Sequence, residues 1–329
     1  MKYSAAFITV ALLFGGCAQK VQIKSLQPAQ ISRAAVTKKI AVIAFKNDRV
    51  NLSGNIEAKI AQYRLDDKPY FTTVSRKDLG KILAEQKIQD SGLMDSSSLG
   101  QSASMLGAQA IILGDVSDPS INRSNYYVNR TKCKKDQCWE ESVACTKQTA
   151  SLNAQIRMID TQKGDIIYAD SISKSDSWSH CRDDSYVLPT LATAAYQLTD
   201  RIADEFVSKL APHYVYTQVA LLEKPDLEYS DRQKLLLEGA LESIKQNRFD
   251  KAENLLSELI DSTAEKSYVA LYDLGVVKEA EGAYEDAKTL YKKADEVTLK
   301  PVEEISKALV YIQAQIEQSK VARSQIDAK

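Results

Sequence analysis

The sequence predicts two folded domains, an N-terminal α+β or α/β domain with a mixed sheet covered by helices and a C-terminal all-α domain of helical repeats. Three observations predict this organisation. The N-terminal half alternates short apolar runs, typical of buried strands, with segments whose apolar residues recur at helical spacing. An alternating segment around residue 155 predicts a β-hairpin. From residue 230 onward the pattern is helical and repeats at an offset of 35 residues.

Residues 1–16 predict a lipoprotein signal peptide. Lys2 precedes an apolar stretch, Ala5 to Leu13, that is too short to span the roughly 30 Å core of a bilayer. The run Leu-Phe-Gly-Gly-Cys at 13–17 resembles the lipobox of bacterial lipoproteins, which implies acylation of Cys17, with palmitate among the acyl chains. Ala18, where Asp would retain a lipoprotein, implies a lipid-anchored protein of the outer membrane that faces the periplasm. The alternative is an ordinary signal peptide followed by a chance cysteine.

The α/β domain is predicted over residues 38–212, after a polar tether at 17–37 that lacks a sustained period. It begins with the apolar run 40–45, whose length favours a buried strand. A helix from Ser53 to Arg64 follows, with Ser53 as its N-cap. The later predicted elements are a strand over 71–74, a helix over 76–86, a helix over 99–106, a strand over 110–116, a hairpin with strands over 152–158 and 166–172, and a helix over 189–210.

Four cysteines remain once Cys17 is assigned to lipid, and they are Cys133, Cys138, Cys145 and Cys181. An even number in an exported chain predicts two disulfides, and the sequence leaves all three pairings open. Three of the four lie in a predicted insertion at 118–150. A zinc site is the alternative, because His180 adjoins Cys181, although the tight cysteine pair of structural zinc sites is missing. We therefore expect no metal and no cofactor.

A linker is predicted at 213–229 and helical repeats at 230–329, closed by a capping helix over 305–326. The second repeat resembles the tetratricopeptide repeat, in which small residues let paired helices approach and aromatic side chains fill the remaining space. The residues that carry this resemblance, and that we expect to pack the repeat, are Leu274, Gly275, Gly282, Tyr284, Ala287, Tyr291 and Ala294. A generic bundle of helical hairpins is the alternative.

The segment from Lys39 to Ser117 resembles the CsgG/HfaB-like family, whose members include curli production assembly/transport lipoproteins of the outer membrane. The resemblance rests on the strand 40–45, on Phe-Thr-Thr-Val-Ser-Arg at 71–76, on Leu-Gly-Ala-Gln-Ala-Ile-Ile-Leu-Gly at 106–114, and on the hairpin that follows. Family members form rings that secrete polypeptides. The segment Ser117 to Thr149 is charged and has no stripe of apolar residues that could face lipid. We therefore expect a soluble insertion held by disulfides there, and not part of a pore.

The charge balance and the absence of catalytic motifs narrow the function. Lysine and arginine total 43 against 44 aspartates and glutamates, without like-charge runs, which disfavours nucleic acid as a partner. No phosphate-binding glycine loop or nucleophile–base set is evident, so we expect no enzyme. The resemblance implies a non-catalytic assembly adaptor of an envelope or surface-structure export system. We expect it to contact other envelope proteins through both domains. The resemblance to a family whose members form rings also implies a homo-oligomer. The alternative is a subunit of an oligomeric outer-membrane secretion channel of the curli-export type.

Overall fold

The computed structural model describes residues 19–75, 81, 102–135 and 137–328. Their elements, in chain order, are β1 (Lys20–Gln27), α1 (Ser32–Ala35), β2 (Lys39–Val42), α2 (Leu52–Gln62), β3 (Arg64–Leu65), β4 (Lys68–Pro69), β5 (Thr72–Thr73), β6 (Ala110–Val116), β7 (Ser120–Lys134), β8 (Gln137–Asp160), β9 (Ile166–Cys181), α3 (Leu191–Ser208), β10 (His213–Ala220), α4 (Asp231–Lys245), α5 (Phe249–Ser262), α6 (Tyr268–Ala280), α7 (Tyr284–Glu296) and α8 (Glu303–Asp327). None of the helices within these residues is long and apolar enough to cross a membrane.

The chain divides into two compact units. Among the described residues, the sheet unit comprises those of Pro28–His213 and those from Val321 onward, and the helical unit comprises those up to Gln27 and those of Tyr214–Lys320. A mixed-sheet domain and a C-terminal helical region are therefore present, as the sequence predicts.

A mixed sheet of six described strands forms the centre of the sheet unit. β2 lies between β5 and β6 and runs parallel to both, whereas β8 runs antiparallel to β6, β7 and β9. Ile40, Ala41 and Val42 are almost completely buried, in agreement with the predicted central strand. Gly114 permits close approach of β6 and its neighbours, because a Cβ atom there would lie 2.5 Å from the backbone oxygen of Gln155.

Helices α2 and α3 carry the predicted apolar faces of the sheet unit. Ile56 and Ile60 of α2 are fully buried, and so are Leu198 and Phe206 of α3. The two helices are joined by Lys59, whose Nζ lies 2.7 Å from Asp200 Oδ1 and 2.6 Å from Asp204 Oδ1. These contacts place both helices in one layer beside the sheet.

The predicted N-cap of α2 is wrong. Ser53 lies inside the first turn, and its backbone N–H donates to Asp48 Oδ2 over 2.9 Å. The N–H of Leu52 donates to Asp48 Oδ1 over 2.7 Å. One carboxylate from the preceding loop therefore satisfies two free backbone donors of the helix, which a serine hydroxyl could not do.

The predicted tether and linker both contain a strand. β1 lies within the segment 17–37, and β10 begins the segment 213–229; the two strands pair as a separate two-stranded sheet. Val21, Ile23 and Ser25 alternate with exposed residues and are buried. This is a strand pattern of period two, which the polar residues between the buried positions obscured in the sequence.

The end of the chain also departs from the predicted boundary of the repeat domain, because residues from Val321 onward group with the sheet unit. Gln325 accounts for much of this attachment. Its Oε1 accepts from the Ala29 N–H over 2.8 Å, and its backbone oxygen accepts from Lys38 Nζ over 3.1 Å and from Tyr70 Oη over 3.2 Å. Burial lowers the pKa of Lys38 to about 8.

Two helical hairpins, α4–α5 and α6–α7, build the helical unit before the final helix α8. Ser230 and Gln233 form a capping box at the start of α4. Tyr291 of α7 is fully buried beside Gly275 of α6, where a Cβ atom would lie 2.5 Å from the Tyr291 ring. Gly282 adopts a φ of +80° in the turn between these helices. The other positions expected to pack this hairpin, Leu274, Tyr284, Ala287 and Ala294, are all buried.

Of the predicted helix at 76–86 only Lys81 is described, and residues 99–101 and Cys17 also lie outside the described residues. The rest of the predicted helix at 99–106 is described, and its residues 102–105 are helical.

Asp273→Asn is expected to stabilise the protein more at pH 8 than at pH 5. Asp273 is fully buried in α6; its Oδ1 accepts from the Leu222 N–H over 3.0 Å, and its Oδ2 has no partner among the described residues. Burial raises the pKa of Asp273, and the charges of Glu223 and Asp226 raise it further. The folded state therefore binds this proton more tightly than the unfolded state, so its contribution to stability is lost as the pH rises through the folded pKa. Thermal unfolding at both pH values measures the effect.

The matched control is Asp295→Asn, an exposed residue of α7, which should change the melting temperature equally at both pH values. An equal gain at pH 5 and pH 8 for the Asp273 variant would show that its carboxylate is not held protonated.

Gly275→Ala is expected to lower the free energy of unfolding by about 1–3 kcal/mol, because the added methyl group overpacks against the Tyr291 ring. Gly239→Ala in α4 is the control: its Cβ would meet only the flexible Leu255 Cδ1 at 3.3 Å, and alanine favours a helix by about 1 kcal/mol. Urea denaturation of the two variants measures the difference, and equal stability of Gly275→Ala and the wild type would contradict the packing described here.

Candidate functional site

The sheet unit contains a long antiparallel hairpin, which we call the β-arm and define as β7 with the Gln137–Ser151 half of β8. Its two strands pair without interruption from Ser120 opposite Ser151 to Lys134 opposite Gln137. Every side chain of β7 is exposed or half-buried. In the β8 half, Val143, Cys145, Gln148 and Ala150 are buried, so one face of the β-arm is covered near its base. From Gln137 to Ser142 every side chain is exposed, and the outer part of the β-arm therefore presents two faces for contact with other molecules.

Two disulfides fasten the β-arm. Cys133 bonds to Cys138 beside the hairpin turn, and Cys145 of β8 bonds to Cys181 of β9. Each bond joins residues that already face each other in the ladder. The second disulfide is buried together with Val143. All four cysteines outside the leader are thus engaged with one another, and none of them is a thiolate able to bind zinc, as the zinc alternative would require.

His180 does not cooperate with Cys181, because neighbouring residues of a strand point to opposite faces. Its ring instead lies edge-on to Tyr186, with the two ring centroids 5.6 Å apart. The second histidine, His213, is half-buried at the start of β10. The described residues contain no group of three or more histidine, cysteine, aspartate or glutamate side chains that could hold a metal ion.

An ionic cluster holds the chain that follows β9 against the β-arm. Arg130 lies 3.0 Å from both Asp183 and Asp184, through different guanidinium nitrogens. Asp184 also accepts from the Cys181 N–H over 2.6 Å. This backbone hydrogen bond, followed by the hydrogen bond from Arg130, lowers the pKa of Asp184. Asp184 therefore stays ionised at neutral pH, and the cluster fixes the segment that leaves the disulfide.

A polar cavity of about 470 Å³ lies at the base of the β-arm. Arg123, on its wall, donates from Nε to Gln148 Oε1 over 2.8 Å, and Gln148 donates from Nε2 to the Pro189 carbonyl over 2.7 Å. Gln148 is fully buried and holds the Arg123 side chain in place. The remaining lining residues are Asn125, Thr146, His180, Val187 and Leu188.

A larger and more apolar cavity of about 700 Å³ lies at the start of α3. Val50, Pro119 and Leu191 contribute to its wall, and the mostly exposed ring of Tyr196 borders it. An ion pair between Arg49 and Asp118, with 3.3 Å between nitrogen and oxygen, lies at the same place. An apolar concavity with a polar rim has the character of a protein-contact site.

The helical unit contains a third cavity of about 410 Å³. Four consecutive residues of β10, Thr217 to Ala220, line one side. Tyr272 of α6 and Tyr311 of α8 line the other, and the Tyr272 hydroxyl donates to the Ala220 carbonyl over 3.0 Å. The acidic side chains on the wall are Glu279, Glu303 and Glu304.

The sequence analysis missed this cavity. Charged residues in a helix normally lie on its solvated face, so the glutamates carried no distinct signal. One signal was present in α6: two acidic residues, Asp273 and Glu279, lie among residues that are mostly apolar and buried. A carboxylate at a buried position of an apolar helix indicates a special environment.

Together these features are surfaces and cavities with the character of binding sites. They comprise a disulfide-fastened β-arm, an apolar concavity, and a cavity with acidic and aromatic walls. Cavities of 300–1,000 Å³, roughly, accommodate small ligands or single anchoring side chains of a partner.

Residues 21–182 match the family model described as "Curli production assembly/transport component CsgG". The match begins in β1 and ends immediately after β9, so it includes the β-arm and both disulfides. The segments in which the sequence analysis finds a resemblance to this family, 39–117 and the following hairpin, fall within it. The chain therefore carries a CsgG family-model domain at residues 21–182.

The solved structures that are similar to this chain include the following three. The hypothetical protein CT253 from Chlamydia trachomatis is 12% identical, with 53% of this chain and 95% of that chain covered and a TM-score of 0.30. Lipoprotein GNA1162 from Neisseria meningitidis is 14% identical, with coverages of 53% and 97% and a TM-score of 0.26. The PelC dodecamer from Paraburkholderia phytofirmans is 14% identical, with coverages of 58% and 97% and a TM-score of 0.24. At such TM-scores these likenesses carry no argument. No curated protein matches the chain.

Removal of the Cys145–Cys181 disulfide is expected to destabilise the sheet unit more than removal of Cys133–Cys138. The two bonds close loops with sequence separations of 36 and 5 residues. Chain entropy alone gives about 4 kcal/mol for the longer loop and about 2 kcal/mol for the shorter. The two double alanine variants are compared by urea denaturation under non-reducing conditions. If the Cys133/Cys138 variant is the less stable of the two, loop closure is not the dominant contribution.

Proposed function

We propose that the protein is a periplasm-facing outer-membrane lipoprotein, anchored through Cys17, that acts as a non-catalytic adaptor in an export or surface-assembly system of the envelope. The observation that carries the proposal is the CsgG family match over residues 21–182. That match indicates an export-associated envelope component. The lipobox-like run at 13–17 supplies the expectation of a lipid anchor.

The adaptor role is supported by the presence of two units with separate binding surfaces. The sheet unit offers the β-arm and the apolar cavity beside Val50 and Leu191. The helical unit offers its own cavity beside Tyr272 and Tyr311. A protein with two such surfaces can hold two partners at once, which is what an assembly adaptor must do.

The proposal assigns no catalysis to the chain. The four described cysteines form disulfides, and His180 stands beside Tyr186 rather than beside a nucleophile. Cys181 and His180 are therefore not available as a nucleophile and its base.

The helical unit is proposed to be a tetratricopeptide-like array closed by α8. Its support is the close contact of Gly275 with Tyr291, the glycine turn at Gly282, and the burial of Ala287 and Ala294. In such arrays small residues allow the paired helices to approach, and the stacked hairpins create a concave binding surface.

A subunit of an oligomeric secretion channel is the second candidate. The observation that favours it is the length of the β-arm, in which fifteen residue pairs form one ladder. The charged side chains of Arg130, Lys132 and Glu141 on this hairpin favour contact with water over contact with the lipid core of a membrane. The adaptor is therefore the preferred function.

The test compares the full-length protein with Cys17→Ser in its native cell envelope. The wild type is expected in the membrane fraction and, after mild crosslinking, to recover a reproducible set of envelope proteins. Cys17→Ser removes the acylated thiol and should shift the protein to the soluble periplasmic fraction, since several acyl chains are needed for stable anchoring. The control is Ser4→Ala, a substitution in the leader that leaves the lipobox-like run intact.

Failure to recover any reproducible partner would contradict the adaptor role, and unchanged fractionation of Cys17→Ser would contradict the lipid anchor. Electron microscopy of the same detergent extract separates the two candidates. A closed ring with a central opening supports the channel, and a monomer or a small oligomer without an opening supports the adaptor.

A further inference from the structure

The cavity of the helical unit contains carboxylates that lack partners. Glu279 is 1% exposed; its Oε2 accepts from the Tyr291 hydroxyl over 2.7 Å, while its Oε1 has no hydrogen-bond partner among the described residues. Burial raises the pKa of Glu279. An unsatisfied carboxylate oxygen at this depth is costly unless a ligand or a proton compensates it.

The charge on the cavity wall is also incompletely balanced. Lys307 lies 2.5 Å from Glu303, so this pair neutralises itself. Glu304 is half-buried on the same wall, and the described residues offer it neither an ion pair nor a hydrogen bond. Burial raises the pKa of Tyr268 and of Tyr272, and the charge of Glu304 is among those that raise both values further. Lys20 and Lys307 also line the cavity, and the charge of Glu304 acts on Lys307, but among the described residues neither lysine forms an ion pair or a hydrogen bond with Glu279 or Glu304.

One edge of β10 is available beside these carboxylates. β10 pairs only with β1 in the described structure. The Leu221 N–H donates to the Gln19 carbonyl over 2.9 Å, so by the alternation of an antiparallel ladder the backbone groups of Gln218 and Ala220 point away from β1. The Tyr272 hydroxyl contacts the Ala220 carbonyl, which agrees with this direction. The backbone N–H and C=O of Gln218 therefore face the cavity side and can pair with an added strand.

We propose that this cavity binds an extended peptide segment of a partner protein that carries a lysine or arginine side chain. The peptide backbone pairs with β10 at Gln218, a mode of strand addition in which main-chain hydrogen bonds supply affinity and side-chain pockets supply specificity. The cationic side chain enters between Glu279 and Glu304. Tyr272 and Tyr311 provide aromatic surface for its aliphatic stem and charge.

This inference rests on the proposed adaptor role, because it names the chemistry of the segment that the helical unit holds. A neutral peptide would leave the free oxygen of Glu279 unsatisfied and the charge of Glu304 unbalanced. An anionic peptide would be repelled by both. The bound segment of the partner is therefore extended and carries a basic side chain.

The test uses the full-length chain in mild detergent and three capped tripeptides, acetyl-Val-Lys-Val-amide, acetyl-Val-Arg-Val-amide and acetyl-Val-Gln-Val-amide. Ligand-observed saturation-transfer NMR titrations measure their dissociation constants. The two cationic peptides are expected to bind at least about tenfold more tightly than the glutamine peptide. A tenfold difference corresponds to the lower end of the free energy that a hydrogen bond to a charged group contributes. Similar affinities for all three, or no saturation transfer at millimolar concentration, would overturn the inference.

Variants locate the site. Glu304→Gln and Glu279→Gln should each reduce the preference for the cationic peptides, and the double variant should bind all three peptides alike. Glu296→Gln, an exposed residue of α7, is the control and should retain the preference. Circular dichroism verifies that each variant is folded; if Glu279→Gln is not, Glu304→Gln decides, because Glu304 has no partner to lose. A preference that survives Glu304→Gln contradicts the site.

The outcomes of this test and of the envelope co-purification are separable. Peptides that do not discriminate by charge, in a protein that still recovers envelope partners, contradict only the cavity assignment. Charge-dependent binding that is lost in the variants, in a protein that recovers no envelope partner, supports the cavity and contradicts the adaptor role.

Discussion

The sheet unit depends on the backbone ladder of one strand. β8 pairs through its Asp160 end with β6 and through its Gln137 end with β7, while β9 follows its other edge. The same 24 residues therefore belong both to the buried sheet and to the β-arm. A shift of one residue along this strand would turn every core side chain outward, so the burial of Ile156 and Met158 fixes the register of the whole ladder. The two disulfides join residues that this register already places opposite each other.

Elements whose burial produces a regular pattern of apolar residues could be predicted from the sequence. The central strand showed a continuous apolar run at 40–45, of which 40–42 lie in β2, the helix α3 showed apolar residues at helical spacing, and the hairpin around residue 162 showed alternation. The outer part of the β-arm could not be predicted as strand, because both of its faces are solvated and no alternation results. The pairing of β1 with β10 was hidden for a different reason. The two strands are about 190 residues apart in the chain, a separation at which local patterns carry no information on contact.

The candidate site shows a similar division. The repeat offset and the small and aromatic positions of α6 and α7 were visible in the sequence, and Gly275 indeed lies against Tyr291. The acidic cavity was not visible, since it combines Glu279 of α6 and Glu304 of α8 with β10, a strand in the segment assigned to a linker. Its polar character has a cost in stability: buried carboxylates such as Asp273 and Glu279 weaken a helical core that apolar residues would strengthen. Unsatisfied carboxylates at this density are more typical of sites that bind than of sites that only pack.

The β-arm also fixes a distance. Fifteen residues of β7, at about 3.3 Å per residue, span roughly 50 Å from Ser120 to the hairpin turn. Disulfides fasten the ladder both at the turn and partway along it, so the two strands are held together along this length. A partner bound near Trp139 would stand several nanometres from the sheet that carries the arm. In an assembly of several copies, the arm would then act as a spacer whose length determines which neighbouring molecules can be reached.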